Sequence, residues 1–483
     1  MSLLIRDGRI AEISPSAGSL TAQHPGAEVV DASEKIILPG FVNAHYHGES
    51  FLLRTITGRR AFASWPALTP FKESVARLVG PTPASLLEGL YAVAGSVHVQ
   101  HGTTCVGEYP LAFPSAHLDA VRAGYALAGL RHVTVLQTWD QIEGTRAHAP
   151  GDDDVVLLSL GKEDEYTIYS FENHTRVSRD RHLPLCAHIA EQPADVERLR
   201  KNFKKSPLVV LKEYGALKAT TQVIHGNYLG TSDLTTLKSA GASLTLCPLS
   251  ATSKRTGYPL LARLAHADVR MSIGTDWGAT DMMAEIKLLR MLPNLVGGVR
   301  HFSPLELLRM ATINGAHALG VGMSTGSLEV GKRADLVLLS PEHPGFPEGR
   351  GEPSPEEIAG MVVDHLDRGS ITDVLIGGKF VFQRGRKEPG ERTAQQEAFR
   401  LLQNAFVRRG AVAPEGSTRK SVPLLAPGEG LVAGFGSPVP ADLPVAPGGL
   451  NMTMENPVKG DQAVVPASGR PQRVKKVFGE NDF

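Results

Sequence analysis

The chain has 483 residues, 42% of them apolar, and its 50 basic side chains balance its 50 acidic ones. That length buries a large core without staples, in one large barrel or in two or three domains. Zero net charge offers no basic face to nucleic acid or an anionic membrane, and three cysteines (Cys105, Cys186 and Cys247) are too few and too odd in number for a disulfide framework.

In chain order, residues 1–30 read as a short β segment with a glycine turn. No basic-then-apolar leader opens the chain and no run approaches the ~20 apolar residues of a membrane span, so a cytoplasmic protein is expected. Strand-like runs then follow at residues 35–47, 103–109, 132–138, 166–171, 183–190, 222–228, 243–248 and 270–276. Amphipathic helical stretches separate most of them, for example 83–99, 194–203, 233–240 and 282–292. Alternating strands and helices point to parallel βαβ units, and eight strands suggest closure into a barrel with its active residues at the C-terminal strand ends.

Residues 325–339 and 371–383 are strand-rich again and are expected to meet the N-terminal segment in a small composite β domain. The resulting division is 1–34 and 321–390 for that β domain, 35–320 for the barrel, 391–409 for a C-terminal helix, and 410–483 for a tail. The tail is rich in proline and glycine without periodicity, so it is expected to be disordered, its basic patch at 470–476 solvated. A Pro/Gly/Glu-rich loop is expected at 343–355. Cys105 and Cys247 lie in apolar runs and read as small core residues.

Four short motifs sit at the ends of apolar, β-prone runs: His45-Tyr46-His47, His188-Ile189-Ala190-Glu191, His225-Gly226-Asn227 and Gly274-Thr275-Asp276. Each has a plain alternative when taken alone. His45 and His47 could line a core, Glu191 could be a surface residue after a core histidine, and Asp276 could cap a turn. Strand alternation places His45 and His47 on one face, about 6.5–7 Å apart. If that face is the barrel interior, two neutral imidazoles converge on one ion, a donor set that suits zinc and also iron. A histidine ligand with a glutamate in the adjoining loop lets one group hold metal while the other moves protons.

The strings LPGFVNAHYHG, PLCAHIAEQ, VIHGNYL and SIGTDWG, followed by ATINGAHALG and GSLEVGKRADLVLL, resemble the amidohydrolase superfamily. The resemblance is to its cytosine-deaminase-like branch, with adenosylhomocysteine, guanine and s-triazine deaminases and chlorohydrolases, and runs from about residue 6 to about residue 385. It implies an α/β fold, a distorted (β/α)8 TIM barrel with a small composite β-sandwich domain from both chain ends. His45, His47, His188 and Asp276 would hold one divalent metal, zinc or else iron. Glu191 would be the proton shuttle and His225 would orient the attacking water, so the catalytic residues expected are Glu191, His225 and Asp276. No lysine stands in an obvious bridging position, which argues against a two-metal site on a carbamylated lysine.

Two departures fall where substrate would lie. Trp277 follows Asp276, where relatives often carry a small polar residue, and the seventh strand ends Cys247-Pro248-Leu249-Ser250 without the Ser-Asn or Ser-His of some relatives. Trp277 would stack on a planar ring or pack at the rim. Glu108, Trp139 and His174 also lie near strand ends and read as packing or rim residues.

The reaction implied is hydrolytic deamination of a nucleobase, triazine, pterin or related cyclic amidine. The metal would lower the pKa of water towards ~7, Asp276 or Glu191 would take its proton, and Glu191 would protonate a ring nitrogen. The alternatives are a hydrolase of the same superfamily that cleaves a ring amide or a carbon–halogen bond, and a non-catalytic scaffold on the same fold. The expected partner is a small heterocyclic substrate; no nucleic-acid or membrane partner is expected, and a homo-oligomer is left open.

Overall fold

The structure is a computed structural model. It describes residues 2–15, 17–32, 35–53, 82–110, 116–143, 155–161, 166–254, 256–257, 260–264, 267–296, 301–340, 353–386 and 392–408. The expected disordered tail at 410–483 lies outside the described residues, as does most of the loop expected at 343–355.

The chain begins with an antiparallel hairpin, β1 (Ser2–Arg6) and β2 (Arg9–Ser14). Two strands follow in immediate succession, β3 (Ile36–Pro39) and β4 (Phe41–Tyr46). The sequence pattern predicts one strand over 35–47; the structure divides it, because β3 and β4 belong to different sheets. Gly40 is the dividing residue. Its N–H bonds Asp335 O at 2.9 Å, whereas the next N–H, of Phe41, bonds Gly102 O at 3.0 Å. A Cβ at Gly40 would lie 2.1 Å from the Thr104 side chain, so the crossing point admits only glycine.

The barrel continues with β5 (Thr103–Glu108), β6 (Arg131–Leu136), β7 (Val156–Ser159), β8 (Leu185–Ile189), β9 (Gln222–His225), β10 (Ser243–Leu246) and β11 (Arg270–Ile273). All eight strands from β4 to β11 pair in parallel, each with its sequence neighbour. The principal helices between and after them are α1 (Ala84–Gln100), α2 (Ala116–Leu127), α3 (Ile168–Asp180), α4 (Pro193–Phe203), α5 (Thr231–Ala240), α6 (Pro248–Ser253), α7 (Met282–Val296) and α8 (Arg392–Arg408).

The fourth barrel strand corrects the sequence reading. Residues 166–171 are not a strand; the short apolar run of β7 takes that place, and α3 begins at Ile168. A reciprocal cap decides it. Thr167 Oγ1 accepts the Ser170 N–H at 3.1 Å and Ser170 Oγ accepts the Thr167 N–H at 2.9 Å, which starts a helix despite the β-prone side chains. Ile168 and Tyr169, apolar in the sequence pattern, are exposed.

Val42, Cys105, Val133, Leu157, Cys186 and Ile224 form one buried cluster inside the barrel, and a larger cluster packs the strands against the helices. Gln222 spans the interior, donating to Ala44 O at 2.7 Å and Thr245 Oγ1 at 2.8 Å. The three cysteines are buried and unpaired, and burial pushes the Cys105 thiol up to about 12. Outside the barrel, β3 pairs with β12 (Leu336–Leu339), which is followed by β13 (Ile371–Ile376) and β14 (Lys379–Gln383) in a four-stranded antiparallel sheet. The β1–β2 hairpin bonds to the segment before β12, and Ile10, Leu328, Ala334, Leu336, Leu338 and Leu375 form a separate small core there. Among the described residues no helix is long and apolar enough to cross a membrane.

The first and last barrel strands meet at their C-terminal ends. His45 O accepts the N–H groups of Thr275 (3.0 Å) and Asp276 (2.9 Å). Asn43 adds a side-chain bridge, its Oδ1 accepting the Thr275 N–H at 3.0 Å and its Nδ2 donating to Thr275 Oγ1 at 2.8 Å. Gly274 permits the approach, since a Cβ there would sit 2.7 Å from that of His45. Asn43→Ala leaves the buried Thr275 groups without these partners. It should lower the unfolding free energy by about 1–3 kcal/mol, read from urea denaturation; an unchanged midpoint would exclude this role.

Candidate active site

The barrel strands deliver their terminal side chains to one mouth. His45 lies in β4 and His47 just beyond it, His188 lies in β8, His225 ends β9, and Asp276 follows β11. Three non-glycine residues at this mouth adopt left-handed backbone: Ala190 (φ 53°), His225 (φ 72°) and Asp276 (φ 55°). Such conformations cost of order 1–3 kcal/mol each and persist where the surroundings enforce them. They turn the chain sharply after each strand, so that the side chains aim across the mouth.

The structure brings His45, His47, His188, His225 and Asp276 together. Nε2 of His45 lies 3.2 Å from Nε2 of His188. Asp276 Oδ1 lies 3.4 Å from His45 Nε2 and 3.2 Å from His47 Nε2. The donor atoms of His45, His47 and His188 lie within 4.8 Å of one another, and so do those of His45, His225 and Asp276. Nδ1 of His47 bonds the Tyr109 carbonyl at 2.7 Å, which requires the proton on Nδ1 and leaves the Nε2 lone pair facing the cluster.

This donor set fits a divalent ion. Asp276 Oδ1 and His225 Nε2 are buried polar atoms without a hydrogen-bond partner, which native structures rarely tolerate unless another group satisfies them. Burial, with His45, His225 and His47 nearby, pushes the His188 imidazole well below its usual range, and burial pushes His225 down to about 4. Both rings are therefore neutral at physiological pH, the form that ligates metal. Burial raises the Asp276 carboxyl, but Lys254 and the His45 and His47 imidazoles outweigh it and hold the group well below the usual carboxylate range. His45, His47, His188 and Asp276 could thus hold one ion, with His225 at its edge.

Glu191 lies just past β8, nearly buried, with Oε2 3.7 Å from His225 Nε2. Asn227 Nδ2 donates to the Glu191 carbonyl at 3.2 Å, tying the loops after β8 and β9 together. Trp277 is half-buried beside the cluster, its ring centroid 5.3 Å from that of His47. Glu108 is fully buried, accepting the Gly48 N–H at 2.9 Å and the Tyr125 hydroxyl at 2.5 Å, and so braces the loop that carries His47. Trp139 and His174 pack on each other with ring centroids 5.2 Å apart, and neither joins the His/Asp cluster.

One residue escaped the sequence reading. A lysine does stand in the site: Lys254 Nζ donates to Glu191 Oε1 at 2.9 Å and to Asp276 Oδ2 at 2.5 Å. It sits between two carboxylates. Burial lowers its pKa, but Asp276 and Glu191 more than compensate and hold the ammonium above its ordinary range. Ser250 Oγ donates to the same Asp276 Oδ2 at 2.5 Å. The run Ser-Lys-Arg-Thr at 253–256 reads as a solvated turn, yet Ser250 and Lys254 stand four apart, the spacing that places two side chains on one helical face.

The profile of the amidohydrolase family matches residues 36–381. A 5-methylthioadenosine/S-adenosylhomocysteine deaminase of Moorella thermoacetica is 27% identical over 409 residues, covering 79% of this chain and 90% of that protein. A 5'-deoxyadenosine deaminase of Methanothermobacter thermautotrophicus is 26% identical over 413 residues, covering 80% and 90%. Among solved structures, an adenosine deaminase from Xanthomonas campestris with bound zinc superposes with a TM-score of 0.70 at 22% identity, covering 84% of this chain and 93% of that one. A zinc complex of atrazine chlorohydrolase from Arthrobacter aurescens gives 0.68 at 17% identity, covering 83% and 94%. Those two likenesses concern the fold, a (β/α)8 barrel with a small added β sheet, and the profile match decides the family. The chain belongs to the amidohydrolase family.

Proposed function

We propose that the chain is a metal-dependent hydrolytic deaminase of an aminated nitrogen heterocycle, releasing ammonia. The observation that carries this reading is the placement of Glu191. A nearly buried carboxylate stands beside the converging imidazoles and 3.7 Å from His225, where it can move a proton without spending itself as a ligand. The relatives named as deaminases of 5-methylthioadenosine, S-adenosylhomocysteine and 5'-deoxyadenosine support ammonia as the leaving group and an aminated purine-like ring as the substrate class.

In this reading His45, His47, His188 and Asp276 hold one divalent ion. Three nitrogens and one carboxylate oxygen suit zinc, with iron(II) the alternative that the same donors accept. When bound, the ion supplies the Lewis acidity that makes water nucleophilic near neutral pH. Glu191 takes a proton from that water and passes it to the ring nitrogen next to the amino-bearing carbon, which makes the carbon electrophilic. Water oxygen bonds to the carbon, the carbon–nitrogen bond to the amino group breaks, and the amine leaves as ammonia with the second proton. His225, neutral down to about pH 4, points Nε2 inward and orients the oxygen on which charge develops. Trp277, half-buried beside His47, stacks on the planar ring.

Ammonia release from aminated purines, pterins and triazines tests the reading; chloride release from a chlorinated triazine without ammonia release from any amine would overturn it. Glu191→Gln should lower kcat by roughly 10²–10⁴-fold on the true substrate while the protein keeps its metal; near-normal turnover would remove Glu191 from the mechanism. Asp276→Asn should weaken metal retention by roughly 10–100-fold in chelator competition, and full retention would exclude Asp276 as a ligand.

A further inference from the structure

Lys254 follows α6, whose start is held by the buried Glu285 carboxylate accepting the Leu249 N–H at 2.9 Å. The Lys254 side chain is 3% exposed. Through its bonds each neighbouring carboxylate has its two oxygens divided. Asp276 turns Oδ1 toward the imidazoles of His45 and His47, while Oδ2 accepts from Lys254 and Ser250. Glu191 turns Oε1 to Lys254 and Oε2 toward His225.

Without the ammonium, two buried carboxylates would share one region of strong negative potential. A divalent ion on the histidines would then draw in both, since carboxylates ligate through one oxygen or two, and a second carboxylate relieves its own desolvation by ligating. With it, one positive charge already serves Oδ2 of Asp276 and Oε1 of Glu191.

We propose that Lys254 is a positioning residue whose ammonium restricts Asp276 to one-oxygen ligation and keeps Glu191 off the metal, reserving Glu191 for proton transfer. The inference rests on the reading of Glu191 as proton carrier. The mononuclear site therefore owes its coordination number to a lysine that binds neither metal nor substrate.

The test reads coordination and needs no substrate. The full chain is loaded with cobalt(II), whose visible absorption weakens as coordination number rises. Lys254→Met should bind cobalt roughly 10-fold or more tightly in chelator competition and show weaker visible absorption than wild type, because Glu191 enters the coordination sphere. Adding Glu191→Gln to Lys254→Met should return the spectrum to that of wild type. Should Lys254→Met not fold, Lys254→Gln removes the charge while keeping a donor, and a change in the same direction is expected. Unchanged affinity and spectrum in the neutral variants overturn the proposal, as does a spectral change that persists unaltered in the double variant. If Glu191→Gln alone left ammonia release intact, the reading of Glu191 as proton carrier would fail while these spectra still stood.

Discussion

The closure of the barrel between its first and last strands is the contact on which the rest depends. His45 O and the Asn43 amide take the backbone of Thr275 and Asp276, and the same two segments carry two of the converging donors, His45 and Asp276. Closing the barrel and assembling the site are therefore one event. A sheet left open at this seam would place Asp276 on one edge and His45 on the other.

That economy has an electrostatic cost. Five titratable side chains at the mouth, His45, His225, Glu191, Lys254 and Asp276, are almost wholly buried. Charged groups are not stable there singly, because desolvation disfavours the ionised form. The arrangement answers with one ammonium, Lys254, bonded to both carboxylates.

The strand-end motifs were legible because they combine two local signals, an apolar β-prone run and a polar residue at its C-terminal end, repeated at βαβ spacing. Three features were not. The run Ile-Ile-Leu-Pro-Gly-Phe-Val-Asn-Ala-His-Tyr reads as one strand, and only the tertiary approach of Thr104 to Gly40 shows why it must be two. The segment 166–171 carries strand-forming side chains, but a reciprocal Thr167–Ser170 cap makes helix the better local solution, and the true strand is a run of four residues too short to stand out. Lys254 sits in a polar stretch, and its partners come from loops after two other strands, so its burial is invisible until the barrel is built. The lysine bonded to both carboxylates was thus inconspicuous in the sequence.

Gly40 gives the small sheet a mechanical bearing on the mouth of the barrel. The chain passes from β3 to β4 without a loop, so the antiparallel sheet and the first imidazole are joined by a few residues of extended backbone with no slack. The pairing of β3 with β12 and the ladder of β4 with β5 consequently share one uninterrupted stretch of backbone that ends at the first pair of histidines.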